Sequence, residues 1–110
     1  MEEPATTGRE SGRRMGVALV RGESMRPTLG PGDRLLVLYG VVPRAGQVVL
    51  ARFPDGVLVI KRAEERRTTG WWLRGDNPHA GVDSRHRGAI PDEDVVGVVR
   101  ARLWPRPRLL

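Results

Sequence analysis

Gln47-Val48-Val49-Leu50-Ala51-Arg52-Phe53-Pro54-Asp55-Gly56-Val57-Leu58-Val59-Ile60-Lys61-Arg62-Ala63 reads as two β-prone runs joined by a tight turn. Proline presets φ and glycine accepts φ > 0, so Pro54-Asp55-Gly56 suits a hairpin connection. Working outward, similar Val- and Leu-rich runs bounded by Gly, Pro and Asp recur, and the predicted strands cover residues 16–21, 34–39, 47–53, 57–63, 71–74 and 95–103. Gly30-Pro31-Gly32-Asp33 is a second turn, and only residues 91–94 hint at a helical one. The pattern predicts an all-β, mostly antiparallel fold, a folded sheet or partial barrel.

A chain of 110 residues makes one domain. Residues 1–14 are polar and aperiodic and are expected to form a disordered or loosely attached arm. Residues 105–110 are expected to form an extended tail, which leaves 15–104 as the domain. Without cysteine there is no disulfide, thiolate metal site or cysteine nucleophile. The longest apolar stretch, residues 35–42, is interrupted by Gly40 and is far short of the ~20 residues that cross a bilayer. The run at 17–20 is too short for a secretory signal. The expectation is a soluble, cytoplasmic chain without a transmembrane anchor. The net charge of +6 comes from 18 Arg and one Lys. The arginines are spread along the chain with no dense basic run, which reads as a solvated surface and not as a nucleic-acid footprint.

Three segments could carry chemistry. Ser24, in Gly22-Glu23-Ser24-Met25-Arg26-Pro27-Thr28-Leu29, follows a predicted strand and precedes a proline. That turn could hold a hydroxyl exposed at fixed geometry, although an ordinary turn-capping serine has the same local sequence. Lys61 is the lone lysine, and strand alternation puts it on one face with Val57 and Val59. Arginine stays charged, whereas a lysine in an apolar setting can give up its proton and so activate a hydroxyl. A lysine at a strand end that snorkels to water is the plainer alternative. The third segment, residues 75–85, is rich in turn formers and contains Asp76, Asp83, Ser84 and Arg85. It is either a brace for the lysine or a solvated loop. Asp76, His79, Asp83 and His86 could in principle approach a metal, but two histidines in a loop make a weak case, and no metal or cofactor is expected. For Trp71-Trp72, alternation predicts one ring in the core and one at the surface.

In this order the three segments resemble the conserved boxes of type I signal peptidases and their relatives, and the likeness covers roughly residues 16–104. The resemblance implies a signal-peptidase-like or LexA-like β fold and a serine endopeptidase with a Ser–Lys dyad, Ser24 as nucleophile and Lys61 as general base. It implies that the Ser24 N–H donates to the oxyanion, with Gly22 and Met25 in the same oxyanion and substrate-binding strip. Arg62, Asp76, Asp83, Ser84 and Arg85 would support the site, and substrate would bind as an extended strand. Two positions depart from many relatives: Gly22 and Gly81 stand where a hydroxyl residue helps form the oxyanion hole or contacts the lysine. A short, anchorless, arginine-rich member looks like the branch that matures nickel-type superoxide dismutase. That likeness implies a precursor protein as partner, from which an N-terminal propeptide is removed. Two other readings stay open at this level. One is a self-cleaving LexA-like peptidase domain, which usually follows a DNA-binding helical domain. The other is a peptide-binding module that kept the fold and lost the chemistry.

Overall fold

Residues 6–7 and 14–110 are described by a computed structural model. They build β1 (Thr6–Thr7), β2 (Met15–Leu19), β3 (Arg34–Tyr39), β4 (Val48–Arg52), β5 (Leu58–Arg67), β6 (Gly70–Arg74), β7 (Val95–Trp104) and β8 (Arg108–Leu109). A short helix, α1 (Ser84–Arg87), and a 3-10 turn over Asp92–Asp94 complete the chain. One sheet runs in the order β1-β2-β3-β7-β4-β5-β6, with β8 also paired to β7, and every ladder is antiparallel. Among the described residues no ladder joins β6 back to β1, so the sheet is folded but not closed.

The strand β4 shows how the sheet is buried. Its alternate residues enter different cores, Val48 and Leu50 on one side, Val49 and Ala51 on the other. Alternation along a strand sends neighbours to opposite faces, so a near-continuous apolar run marks a strand covered on both. The first core also takes Ala18, Leu35, Val37, Ile60 and Val99. The second takes Phe53, Val59, Ala63, Trp71, Leu73 and Ile90. Both cores are needed to place the site: the serine segment lies over the first, and Lys61 points with the second.

The expected turn at Pro54-Asp55-Gly56 is present. Phe53 N–H donates to Val57 O at 2.9 Å, Phe53 O accepts the Gly56 N–H at 2.8 Å, and Gly56 takes φ 87°. The connection at Gly30–Asp33 is closed by Asp33 N–H to Gly30 O at 3.1 Å.

Three features go beyond the sequence pattern. The strand β5 continues through Glu64-Glu65-Arg66-Arg67, because this hairpin is solvated and its arginines stack on the facing tryptophans. The Arg67 guanidinium lies 3.7 Å from the Trp72 ring centroid, a contact worth more than the polar sequence suggests. Trp71 is buried and Trp72 half-buried. The helix α1 is too short to show periodicity and is built by a capping box, with the Asp83 carboxylate taking the Arg85 N–H. Arg108–Leu109 pairs with β7, and Thr6–Thr7 pairs with β2. The rest of the expected arm up to residue 13 lies outside the described residues. Among the described residues, no helix is long and apolar enough to cross a membrane.

Candidate active site

Ser24 sits in the segment that leaves β2 and returns to β3. The base of this loop is clamped by Val20 N–H to Asp33 O and Gly32 N–H to Val20 O, both at 2.9 Å. Met25 and Leu29 drive their side chains into the first core, and Leu29 N–H donates to Met25 O at 2.9 Å. The apolar anchors hold the backbone still and leave Ser24 only 8% exposed. The Arg26–Pro27 bond is cis. Met25 therefore offers a substrate its backbone at most, since its side chain belongs to the core.

Lys61 is completely buried on β5, opposite Val49 on β4. It alternates with Val59 and Ala63, which face the second core. Every fully buried side-chain nitrogen and oxygen among the described residues has a hydrogen-bond partner, so the Lys61 amine is engaged. On the other flank of β5, Arg62 stands opposite Arg74 of β6. Gly75 follows Arg74 directly, just beyond the end of β6. A Cβ built on Gly75 would lie 2.6 Å from the Ser24 carbonyl oxygen and 3.4 Å from Ser24 Cβ. Ser24 is thus seated against the bare backbone of Gly75, where β6 ends beside Arg62 of the lysine strand.

The segment after β6 fixes this arrangement. Asn77 N–H donates to Ser24 O at 2.9 Å, and Asn77 Nδ2 donates to Glu23 O at 3.1 Å. The Asp76 carboxylate joins three segments. It accepts Arg62 Nε at 3.1 Å and Nη2 at 2.6 Å from the lysine strand, and Thr28 Oγ1 at 2.5 Å from the serine segment. Arg62 Nη1 also donates to Gly46 O at 2.8 Å. Asp83 accepts Gly75 N–H at 3.2 Å, and Arg85 N and Nε at 3.0 Å each. The Ser84 hydroxyl, fully buried, accepts Leu73 N–H at 2.8 Å and ties α1 to β6.

Of the residues expected to support the site, Arg62, Asp76, Asp83 and Ser84 therefore touch the backbone or side chains that hold Ser24, Lys61 and Gly75, and Arg85 acts on Asp83. Thr28, Gly75 and Asn77 lie inside the segments picked out by sequence, but nothing local signals their contacts. Each bridges 48 or more residues in sequence. Gly22 supplies no hydroxyl, and Gly81 none from the third segment. Among the described residues, no three His, Asp or Glu side chains gather to hold a metal.

Charge strengthens the brace. Burial works to raise the Asp76 pKa, but the Arg62 and Thr28 hydrogen bonds and the Arg62 charge outweigh it and hold the carboxyl below its usual range. Asp83 is likewise pushed up by burial and held down by Arg85 and the Gly75 N–H. Arg62 in turn is raised by its bond to Asp76. A carboxyl whose folded pKa lies below its unfolded value of about 3.9 stabilises the fold above that pH and loses its contribution as pH falls through the folded value. The melting temperature is therefore expected to decline as pH falls below about 4. Asp76→Asn is expected to cost about 1–3 kcal/mol at pH 7 and to shrink that acid-side decline. Melting curves of wild type and variant that run parallel from pH 7 to pH 2 would contradict this role.

A cavity of about 520 Å³ lies elsewhere, between residues 40–43, Arg66, Trp71, Asp92 and Val95, and contains none of the site residues.

A family model described as Peptidase S24-like matches residues 4–100. The mitochondrial inner membrane protease subunit 1 of Schizosaccharomyces pombe is 29% identical over 117 aligned residues, which cover 83% of this chain and 74% of that protein. The mitochondrial ATP-independent inner membrane protease subunit 1a of Arabidopsis thaliana is 44% identical over 34 residues, 31% of this chain and 20% of that protein.

Proposed function

The chain belongs to the Peptidase S24-like family, and from that premise we propose that it is a serine endopeptidase with a Ser24–Lys61 dyad that removes an N-terminal propeptide from a precursor protein in the cytoplasm. One observation supports the dyad: Ser24 is packed on Gly75, the residue after Arg74, and Arg74 pairs with Arg62, the chain neighbour of Lys61. Full burial beside Val49, Val59 and Ala63 favours the neutral amine over the ammonium. Neutral Lys61 accepts the Ser24 Oγ proton as Oγ attacks the scissile carbonyl. The tetrahedral oxyanion is met by the Ser24 N–H, the donor next to the attacking atom. Lys61 then returns the proton to the leaving amine, leaving an acyl-enzyme. Deacylation repeats the sequence with water as nucleophile and Lys61 again as base.

For the substrate we propose the precursor of nickel-type superoxide dismutase. The support is the overall resemblance of this arginine-rich sequence to the proteases that mature it. Incubation with that precursor, followed by mass spectrometry of its N-terminus, tests enzyme and substrate separately. The expected result is one defined cut by wild type and none by Ser24→Ala. If wild type leaves the dismutase precursor intact but is acylated at Ser24 by a serine-directed probe, the substrate is wrong and the nucleophile stands. If neither reaction occurs, the peptide-binding reading replaces the enzyme. A chain that shortens itself on prolonged incubation would instead favour self-cleavage.

A further inference from the structure

The developing oxyanion is met by one backbone donor, the Ser24 N–H, and Gly22 adds no hydroxyl beside it. That donor cannot turn by itself. It shares a planar trans peptide with the Glu23 carbonyl, so the two groups point in opposite directions and rotate together. Whatever holds Glu23 O therefore aims the Ser24 N–H.

Two donors hold Glu23 O. Arg26 N–H donates at 3.2 Å, and Asn77 Nδ2 donates at 3.1 Å. The Arg26 bond is internal to the serine segment and moves with it. The Asn77 bond ties the same carbonyl to the segment after β6, 54 residues away in sequence. On the entering side, Gly22 takes φ 152°, a conformation that side chains rarely adopt, and a residue without a Cβ gives the peptide no steric support. On the leaving side, Asn77 N–H donates to Ser24 O at 2.9 Å, and the buried Met25 side chain anchors the chain in the core. Backbone and core thus fix the peptide after Ser24, while a side-chain amide braces the peptide before it.

The amide is oriented by its own turn. Asn77 Oδ1 accepts His79 N–H at 3.0 Å, which leaves the NH2 end to face Glu23. Asparagine carries the acceptor that closes this turn and the donor that meets Glu23 O on one planar group. Aspartate would close the turn equally well and set an acceptor against an acceptor. We propose that Asn77 is a positioning residue, whose side-chain amide holds the Glu23 carbonyl and so aims the Ser24 N–H at the oxyanion. The role rests on the peptidase reading. A misaimed donor is felt where charge develops, so its loss slows bond formation more than it weakens ground-state binding.

Acylation of the full chain by p-nitrophenyl acetate reads that step without a peptide substrate. Ser24 Oγ bonds to the acetyl carbon as the ester C–O bond breaks, p-nitrophenolate leaves, and the hydroxyl proton passes to Lys61. Asn77→Asp keeps the turn acceptor and the backbone donor and loses the amide donor. Asn77→Ser keeps a side-chain oxygen for the turn, adds no charge, and is too short to reach Glu23 O. Each variant is expected to lower the limiting acylation rate ~10- to 50-fold, with the half-saturating ester concentration within ~2-fold of wild type. The pH midpoint of acylation is expected to stay in place in Asn77→Ser, since Lys61 is untouched. Wild-type limiting rates in both variants would overturn the positioning role. So would a loss confined to half-saturation, or a displaced midpoint in Asn77→Ser, which would put the effect on the lysine. Wild type that reacts no faster than Ser24→Ala would instead overturn the peptidase reading, and the positioning role with it.

Discussion

Lys61→Met is expected to lower kcat/KM for peptide cleavage by at least ~10³-fold, close to the loss from Ser24→Ala, with the fold retained. A thousandfold loss corresponds to about 4 kcal/mol of transition-state stabilisation. Methionine is unbranched and about one atom shorter than lysine and removes the amine, so the buried position beside Val49, Val59 and Ala63 stays largely filled. Lys61→Arg makes the complementary point, because it keeps a cation that cannot become neutral. The arginine is larger and the site is fully buried, so a folded Lys61→Met protein is the decisive variant. In wild type, kcat/KM is expected to rise with pH as Lys61 loses its proton. That limb is expected to vanish in Lys61→Met. Cleavage by Lys61→Met at the wild-type rate would sink the dyad, whatever the substrate.

Gly75→Ala is expected to lower kcat by ~10²-fold, although position 75 bears no reacting group. The new Cβ would fall 2.6 Å from the Ser24 carbonyl oxygen, a backbone atom that cannot swing away as a side-chain end can. Relief requires the serine segment to lift from Gly75 at the end of β6. That segment is held by Asn77 N–H on the same carbonyl and by Thr28 on Asp76, so strain of about 1–3 kcal/mol is also expected in stability. Gly56→Ala separates the two effects. Gly56 has φ 87° and open space around its Cβ position, so alanine there strains the turn and leaves the site alone. It is expected to lower the melting temperature with kcat unchanged. If Gly75→Ala melts lower but turns over at the wild-type rate, the glycine is a packing residue only.

The legible part of the fold was what repeats at short range. Alternating Val and Leu over residues 47–53 and 57–63, punctuated by Pro54-Asp55-Gly56, is enough for a hairpin, since turn chemistry and side-chain alternation are local properties. The uniqueness of Lys61 and its share of a face with Val57 and Val59 were also visible, and the strand keeps that alternation. What alternation could not reveal is that both faces of β4 and the apolar half of β5 are covered, which makes Lys61 a buried amine where a surface ammonium was the plainer alternative. Burial depends on which strands flank the hairpin, and β7, the partner of β4, comes from the far end of the chain.

The sequence by itself determined the six central strands, the two turns, and the three segments that hold Ser24, Lys61 and the acidic residues from Asp76 to Asp83. Only the tertiary structure decided that these segments meet. Gly75 carries no side chain to advertise a contact, yet its bare backbone is where the serine segment rests against the end of β6, the partner of the lysine strand. Asp76 could have paired with any of 18 arginines, and the choice of Arg62 together with Thr28 follows from sheet register. The physical reason is the same in each case. Propensity and alternation are set by neighbours in the chain, whereas close approach and charge pairing are set by neighbours in space.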